Sequence, residues 1–473
     1  MKKKIMVSAM ALCVAGCIGA CSVVPAADTT QNTTSTEIST QSTYSQNKLS
    51  RESIPISNTL SSSGSGEHAI TVDGKEESYS NTEVLKTGDS SGDEADFYGE
   101  NSAIFTTNKG TSNLTNMVVD TNGAHANAVF SYGEGTTVNI SDSYITTSGN
   151  CSGALMTTGG GTMNATNVTA ETTGNSSATI RSDRGGGTVT VNGGNYKTSG
   201  TGSPTIYSTA DITVNDSYLE STASQGVVVE GNNSVTLNNT NLTANNNKKN
   251  SNKSDYYQAV MLYQSMSGDA SEGMSSFKMN GGSLNNANGD IFFVNNTTST
   301  IELSNANITN NDTNGVFLRA AAAGWGNSGS NGGKVNLKAS NQVINGDMVV
   351  DDISSLNLYL NDNSTFTGAV NSSGQSGKVY VELKNGSKWT LTADSYISSL
   401  TCDAGSINLN GHKLYVNGVE YTENMTSQGT AIEMASGNSK SMSKSSNNME
   451  KPSDANAPDK GSSSKKTSKK KDK

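Results

Sequence analysis

Aromatic residues are scarce, at 5% of a 473-residue chain with two tryptophans, and charged residues reach only 16%. A chain this polar cannot fill large mixed cores. Intrinsic disorder is the plain alternative, but disordered chains rarely carry apolar β-branched triplets at regular intervals. Of five cysteines only Cys151 and Cys402 lie beyond Cys21, far apart, so spacing yields no disulfide framework. His68, His125 and His412 stand apart from one another in the pattern. That spacing supports neither a zinc site nor a Ser-His-Asp triad. The glycines Gly185, Gly186 and Gly187 precede no Lys-Ser or Lys-Thr pair and no predicted helix, which excludes a P-loop.

What is present begins with an export signal. Met1, Lys2, Lys3 and Lys4 precede an apolar run from Ile5 to Val14, too short to span a membrane and suited to secretion. Val14-Ala15-Gly16-Cys17 and Ile18-Gly19-Ala20-Cys21 both look like the lipobox of bacterial lipoproteins, with Cys17 favoured as the acylated thiol over Cys21. A plain signal peptide cut near Ala26 or Ala27 is the competing reading. The predicted organisation is a lipoprotein signal over 1–21, a flexible Ser/Thr-rich linker over 22–66, a β body over 67–425 and a disordered Lys/Ser-rich tail over 426–473. From Lys440 onward ten lysines face four acids, a net of about +6, which leaves about −16 for the rest of a chain of net −10. Such a tail suits anionic cell-wall polymers or lipid headgroups, or serves only for solubility. An acidic body with an export signal argues against nucleic acid.

The body repeats. A small residue followed by an apolar triplet recurs, with third positions at Val129, Leu155, Ile180, Ile206 and Val228. A period of roughly 25 positions marks stacked repeats. After each triplet comes a short strand with apolar outer positions and a polar middle, such as Val138-Asn139-Ile140, Val189-Thr190-Val191 and Ile301-Glu302-Leu303. Period two turns the apolar pair inward. A third element carries Ile145, Val168, Tyr196, Leu219, Leu242 and Ile308, between Asn, Asp and Gly that suit tight corners. Equivalent strands recur only after a full repeat, so they must stack in parallel. The expected fold is all-β, a single-stranded right-handed parallel β-helix of roughly a dozen coils rising about 4.8 Å each. Two longer steps, from Val228 to Met261 and on to Phe293, place insertions at 245–257 and 265–274.

The segment from Ala178 to Gly187, with Tyr207-Ser208-Thr209-Ala210-Asp211-Ile212, Tyr263 to Asp269 and Leu414 to Gly418, resembles a family of secreted β-helix proteins of gut Firmicutes. The resemblance covers roughly positions 90–420. It implies a pectin-lyase-like right-handed helix at the cell surface, adhesin-like or carbohydrate-binding.

The enzymatic relatives of such a fold set chemical requirements. A polygalacturonase needs paired carboxylates across a glycosidic bond, and no such motif stands out. Asp347, Asp351 and Asp352 form the tightest acidic group within a coil and could hold calcium, or be solvated corner carboxylates. Arg181 and Arg184 beside Asp183 could present guanidinium groups to an acidic sugar, or Asp183 could simply pair with a neighbouring Arg. Tyr207 and Trp325 are candidate sugar contacts, although a lone Trp in a small-residue loop more often folds back as a lid. With the third triplet position inward, an outward apolar stripe is expected at Phe130, Met156, Tyr207, Val227, Val229, Val260, Leu262, Phe292, Val294, Val316 and Leu318, either recognising a partner or covered by the insertions.

The sequence reading is therefore an exported, membrane-anchored or secreted, non-enzymatic surface protein. It expects no cofactor beyond possible calcium, and a polysaccharide or surface glycoprotein as partner. A ligand-free surface scaffold is the second reading and a polysaccharide lyase or hydrolase the third.

Overall fold

The computed structural model describes residues 48–434, which fall within one compact unit. Cys17, Cys21 and the lysine-rich terminus lie outside the described residues. The body is almost all strand, with one short helix, Asp93–Phe97, and a single 3-10 turn, Arg51–Ser53, among them. Two long sheets dominate, of 11 and 19 strands, joined near the C-terminal end by sheets of four and three. In both long sheets strands pair in parallel with their equivalents one repeat away, an arrangement compatible with a β-solenoid.

The first sheet contains the triplets. Its strands include Val129–Tyr132, Leu155–Thr158, Ile180–Ser182, Ile206–Ser208, Val227–Glu230, Gln258–Tyr263 and Asp290–Asn295. Register makes Ile104, Val129, Leu155, Ile180, Ile206, Val227, Val260, Phe292, Leu318 and Met348 one column, all fully buried. The second sheet supplies the facing wall. The expected inward pairs, Val138 with Ile140 through Leu356 with Leu358, are all buried and join the same core. The third element is not separate at first, because Thr111–Thr121, Thr137–Thr147 and Gly161–Thr172 are continuous strands that bend at left-handed Asn116, Asp142 and Asn167. From Asp211–Asn215 and Tyr218–Ser221 onward the bend becomes a break.

The left-handed corners explain the Asn content. Outside glycine, every described position with positive φ except Lys109, His125, Cys151 and Ser176 is Asn or Asp, whose short polar side chains tolerate that conformation best. Outward asparagines also bond along the stack, Asn139 donating to Asn113 and Asn164 to Asn139, each at 2.9 Å.

The ordered body exceeds the expected 67–425 at both ends. Asn58–Ser62, inside the expected linker, pairs in parallel with Thr82–Lys86, and Arg51 reaches Glu83 and Asp120. At the far end Ser427–Gln428 pairs antiparallel with Thr401–Cys402. No helix among the described residues is long and apolar enough to cross a membrane.

Candidate functional site: the covered outer face of the first sheet

Register corrects the expected outward stripe. Ile206 pairs with Val227 and not with Val228, its counterpart by sequence spacing, so the expected alternation is one position out of phase from there on. Val227, Val229, Val260, Leu262, Phe292, Val294 and Leu318 face the common interior. Phe130, Met156 and Tyr207 keep their outward places, and the column continues through Val228, Met261, Phe293 and Arg319, with Arg181 between Met156 and Tyr207. Val316, also expected outward, precedes the strand Leu318–Ala320 and is only partly buried.

Apart from Arg181, Arg319 and the Tyr207 hydroxyl that column is apolar, and most of it is covered. Phe130, Met156 and Phe293 are fully buried, and Val228, Met261, Tyr263, Phe293 and Ala321 form a second small core outside the sheet, with Tyr207, Ala323 and Trp325 against it. Fully burying a side chain such as Phe293 stabilises by roughly 1.5–3 kcal/mol, so the cover is part of the fold. Three segments supply it. Tyr256, from the first insertion, packs on Phe293 with ring centroids 5.5 Å apart. Trp325 meets Tyr263 edge-on with ring centroids 5.3 Å apart, the arrangement of a lid. Over the lower repeats the cover comes from a segment not anticipated from sequence, the helix Asp93–Phe97, where Phe97 O accepts a hydrogen bond from Thr158 Oγ1 at 2.7 Å.

The polar candidates pair beneath this cover, and one of them, Arg184, ties it down. Arg181 donates to Asp183 Oδ2 from Nε at 3.1 Å and Nη2 at 2.8 Å, both side chains nearly buried. Burial pushes the Asp183 carboxyl up to about 6, although the Arg181 guanidinium pulls the other way. Arg184 is a clasp, bonded to Asp93 on the helix and Asp269 in the second insertion, each at 2.9 Å, with its guanidinium 3.8 Å from the Phe97 ring centre. Arg319 plays the same part above, paired with Asp290 and lying over Tyr256. Tyr207 and Tyr263 both donate to Oε2 of buried Glu230, the second at 2.8 Å. Burial drives both phenols well above their ordinary range, with the Glu230 charge adding to it. Of the five candidates, Arg181, Asp183, Arg184 and Tyr207 are bonded within the chain, and Trp325 packs against Tyr263 while staying partly exposed.

The acidic trio does not converge. Asp347 accepts from the Ala369 amide at 2.8 Å, Asp351 from the Ala322 amide at 2.7 Å, and Asp352 is exposed. Backbone N–H groups thus bond one oxygen of Asp347 and both of Asp351. Among the described residues the grouping whose ligating atoms do come together is Asp96, His125 and Cys151, within 4.8 Å of one another. Comparing histidines only with one another set His125 apart, yet it is separated from Cys151 by a single repeat, and that signal was legible.

Comparison with family models, curated proteins and solved structures finds no match to the chain.

The uncovered surface lies on the second sheet. Its outward positions align by register into rows of small polar groups. One row runs Thr111, Thr137, Thr162, Thr188, Asp211, Ser234, Ser276, Thr300 and Asn336, and its neighbour runs Asn113, Asn139, Asn164, Thr190, Thr213, Thr236, Lys278, Glu302 and Lys338. Most of these side chains are half-exposed, and the three charged ones at the end pair with one another.

Proposed function

We propose that the chain is an exported surface lipoprotein whose body, a right-handed parallel β-helix of the pectin-lyase-like kind, binds a polysaccharide or surface glycoprotein along the outer face of the second sheet without cleaving it. The observation that carries this reading is the pair of polar rows. They repeat hydroxyl and amide groups once per repeat, at the strand spacing of about 4.8 Å, which is close to the length of one sugar unit in an extended glycan. Direct and water-bridged hydrogen bonds of modest individual strength then add along a chain of sugars. Attachment through Cys17 or Cys21 and contact of the lysine-rich terminus with anionic wall polymers complete the proposal.

The test is a glycan array with the full chain, with and without calcium, repeated with Thr162→Tyr combined with Thr213→Tyr. These outward substitutions place bulk on both rows without touching the core. Binding in the parent and at least tenfold weaker binding in the variant of unchanged circular dichroism is the expected result. No binding to any glycan would favour the ligand-free scaffold, and release of unsaturated or reducing ends would favour an enzyme.

A further inference from the structure

We propose that Asp96, His125 and Cys151 form a binding site for a zinc-class divalent ion at one corner of the stack. The three side chains come from three separate stretches of chain, and their carboxylate, imidazole and thiol atoms lie within 4.8 Å of one another. That mixture of one sulfur, one nitrogen and one oxygen ligand suits Zn²⁺ and its tetrahedral relatives rather than calcium or magnesium, which take oxygen only. His125 Nδ1 and Asp96 Oδ1 already lie 2.7 Å apart, and both side chains are largely but not wholly buried. On binding, the Cys151 thiol gives its proton to solvent and the metal takes its place.

The corner itself supports the assignment. It repeats with a small residue first and a left-handed residue third: Gly123 then His125, Gly149 then Cys151, Gly174 then Ser176, Gly200 then Gly202. His125 and Cys151 sit at φ 57° and 56°, a conformation that elsewhere in the described chain goes almost entirely to Asn, Asp and Gly. Placing an imidazole and a thiol there carries a backbone cost that packing does not explain, since neither side chain enters the core. The nearby positive charge of Arg181 is paired with Asp183 at 2.8 Å. Asp96 rides on the helix Asp93–Phe97, so a bound ion would staple the cover of the outer face to two successive repeats.

The experiment uses the full chain, reduced, with Co²⁺ as a spectroscopic probe and Zn²⁺ as competitor. The expected result is a thiolate-to-cobalt charge-transfer band with visible bands of four-coordinate cobalt, saturating at about one equivalent and bleached by Zn²⁺. His125→Asn and Cys151→Asn should lose the bands and weaken Zn²⁺ binding by at least about tenfold, whereas Cys402→Ser should keep both. Asparagine accepts the left-handed corner, so these variants should fold as well as the parent or better. Zn²⁺ should also slow alkylation of Cys151. Cobalt spectra identical in the parent and Cys151→Asn, or Zn²⁺ affinity unchanged in both variants, would overturn the site.

Discussion

Asp183 shows how burial governs chemistry at the scale of one residue. Its carboxyl is pushed up to about 6, above the 3.8 of an exposed aspartate, because loss of water outweighs the nearby guanidinium. The sign of the consequence follows from linkage. The unfolded chain is then the stronger acid, so the contribution of this group to stability is complete below about pH 4 and is lost as pH rises through about 6. We expect the denaturant stability of the wild type, relative to Asp183→Asn, to fall between about pH 4 and about pH 7. A rise across that window would mean the ion pair dominates. Arg181 and Asp183 were readable as a pair because they are close neighbours along the chain. Arg184 was not readable, because its partners Asp93 and Asp269 lie 91 and 85 residues away. His125 and Cys151 were hidden differently: each reads as a lone residue until the sequence is wrapped on its own period.

Elements are set by the corners as much as by the strands. At the corner before each triplet, Gly88, Gly123, Gly149, Gly174 and Gly200 stack so closely that a Cβ on one would overlap the carbonyl of the glycine below. Serines close the same corner, Ser177 Oγ donating to Gly149 O at 3.0 Å and Ser203 Oγ to Gly174 O at 2.8 Å. Gly174→Ala should therefore cost roughly 1–3 kcal/mol, as forced overpacking does, while Ala at the open Gly193 should cost little beyond its positive φ. Urea titration of the two variants checks the ranking, and equal effects would refute it. The alternation in the second sheet was legible from Val138 to Leu337, because apolar-polar-apolar triplets leave one choice of face. In the first sheet every residue of Val227–Glu230, Gln258–Tyr263 and Asp290–Asn295 is buried, whichever side it faces. Hydrophobicity then carries no phase, and one short repeat was enough to shift the reading by a position. The helical cover at Asp93–Phe97 was invisible for a related reason: a single helical turn is too short to display a period.

For the molecule as a whole, each repeat touches mainly its neighbours, so stability is close to a sum of repeat and interface contributions. Hydrogen exchange should accordingly be slowest in the middle strands, from Gly161–Thr172 to Thr298–Ser304, where the covered face adds a second core, and fastest from Ser395–Ile397 onward. Uniform exchange along the stack would instead indicate a single cooperative block. The regularity that made the architecture readable is the same regularity that makes each repeat a weak unit alone.

A ladder of identical parallel rungs contains no instruction to stop, and its last open edge invites another chain to add itself. Here the chain reverses at the end: Val419–Glu420 lies antiparallel on Leu414–Val416, and Ser427–Gln428 antiparallel on Ser399–Cys402. A newcomer would meet a strand pointing the wrong way for its own register. That reversal closes this end of the stack against in-register addition of a second copy, so the ladder ends within its own chain rather than continuing into a fused fibre.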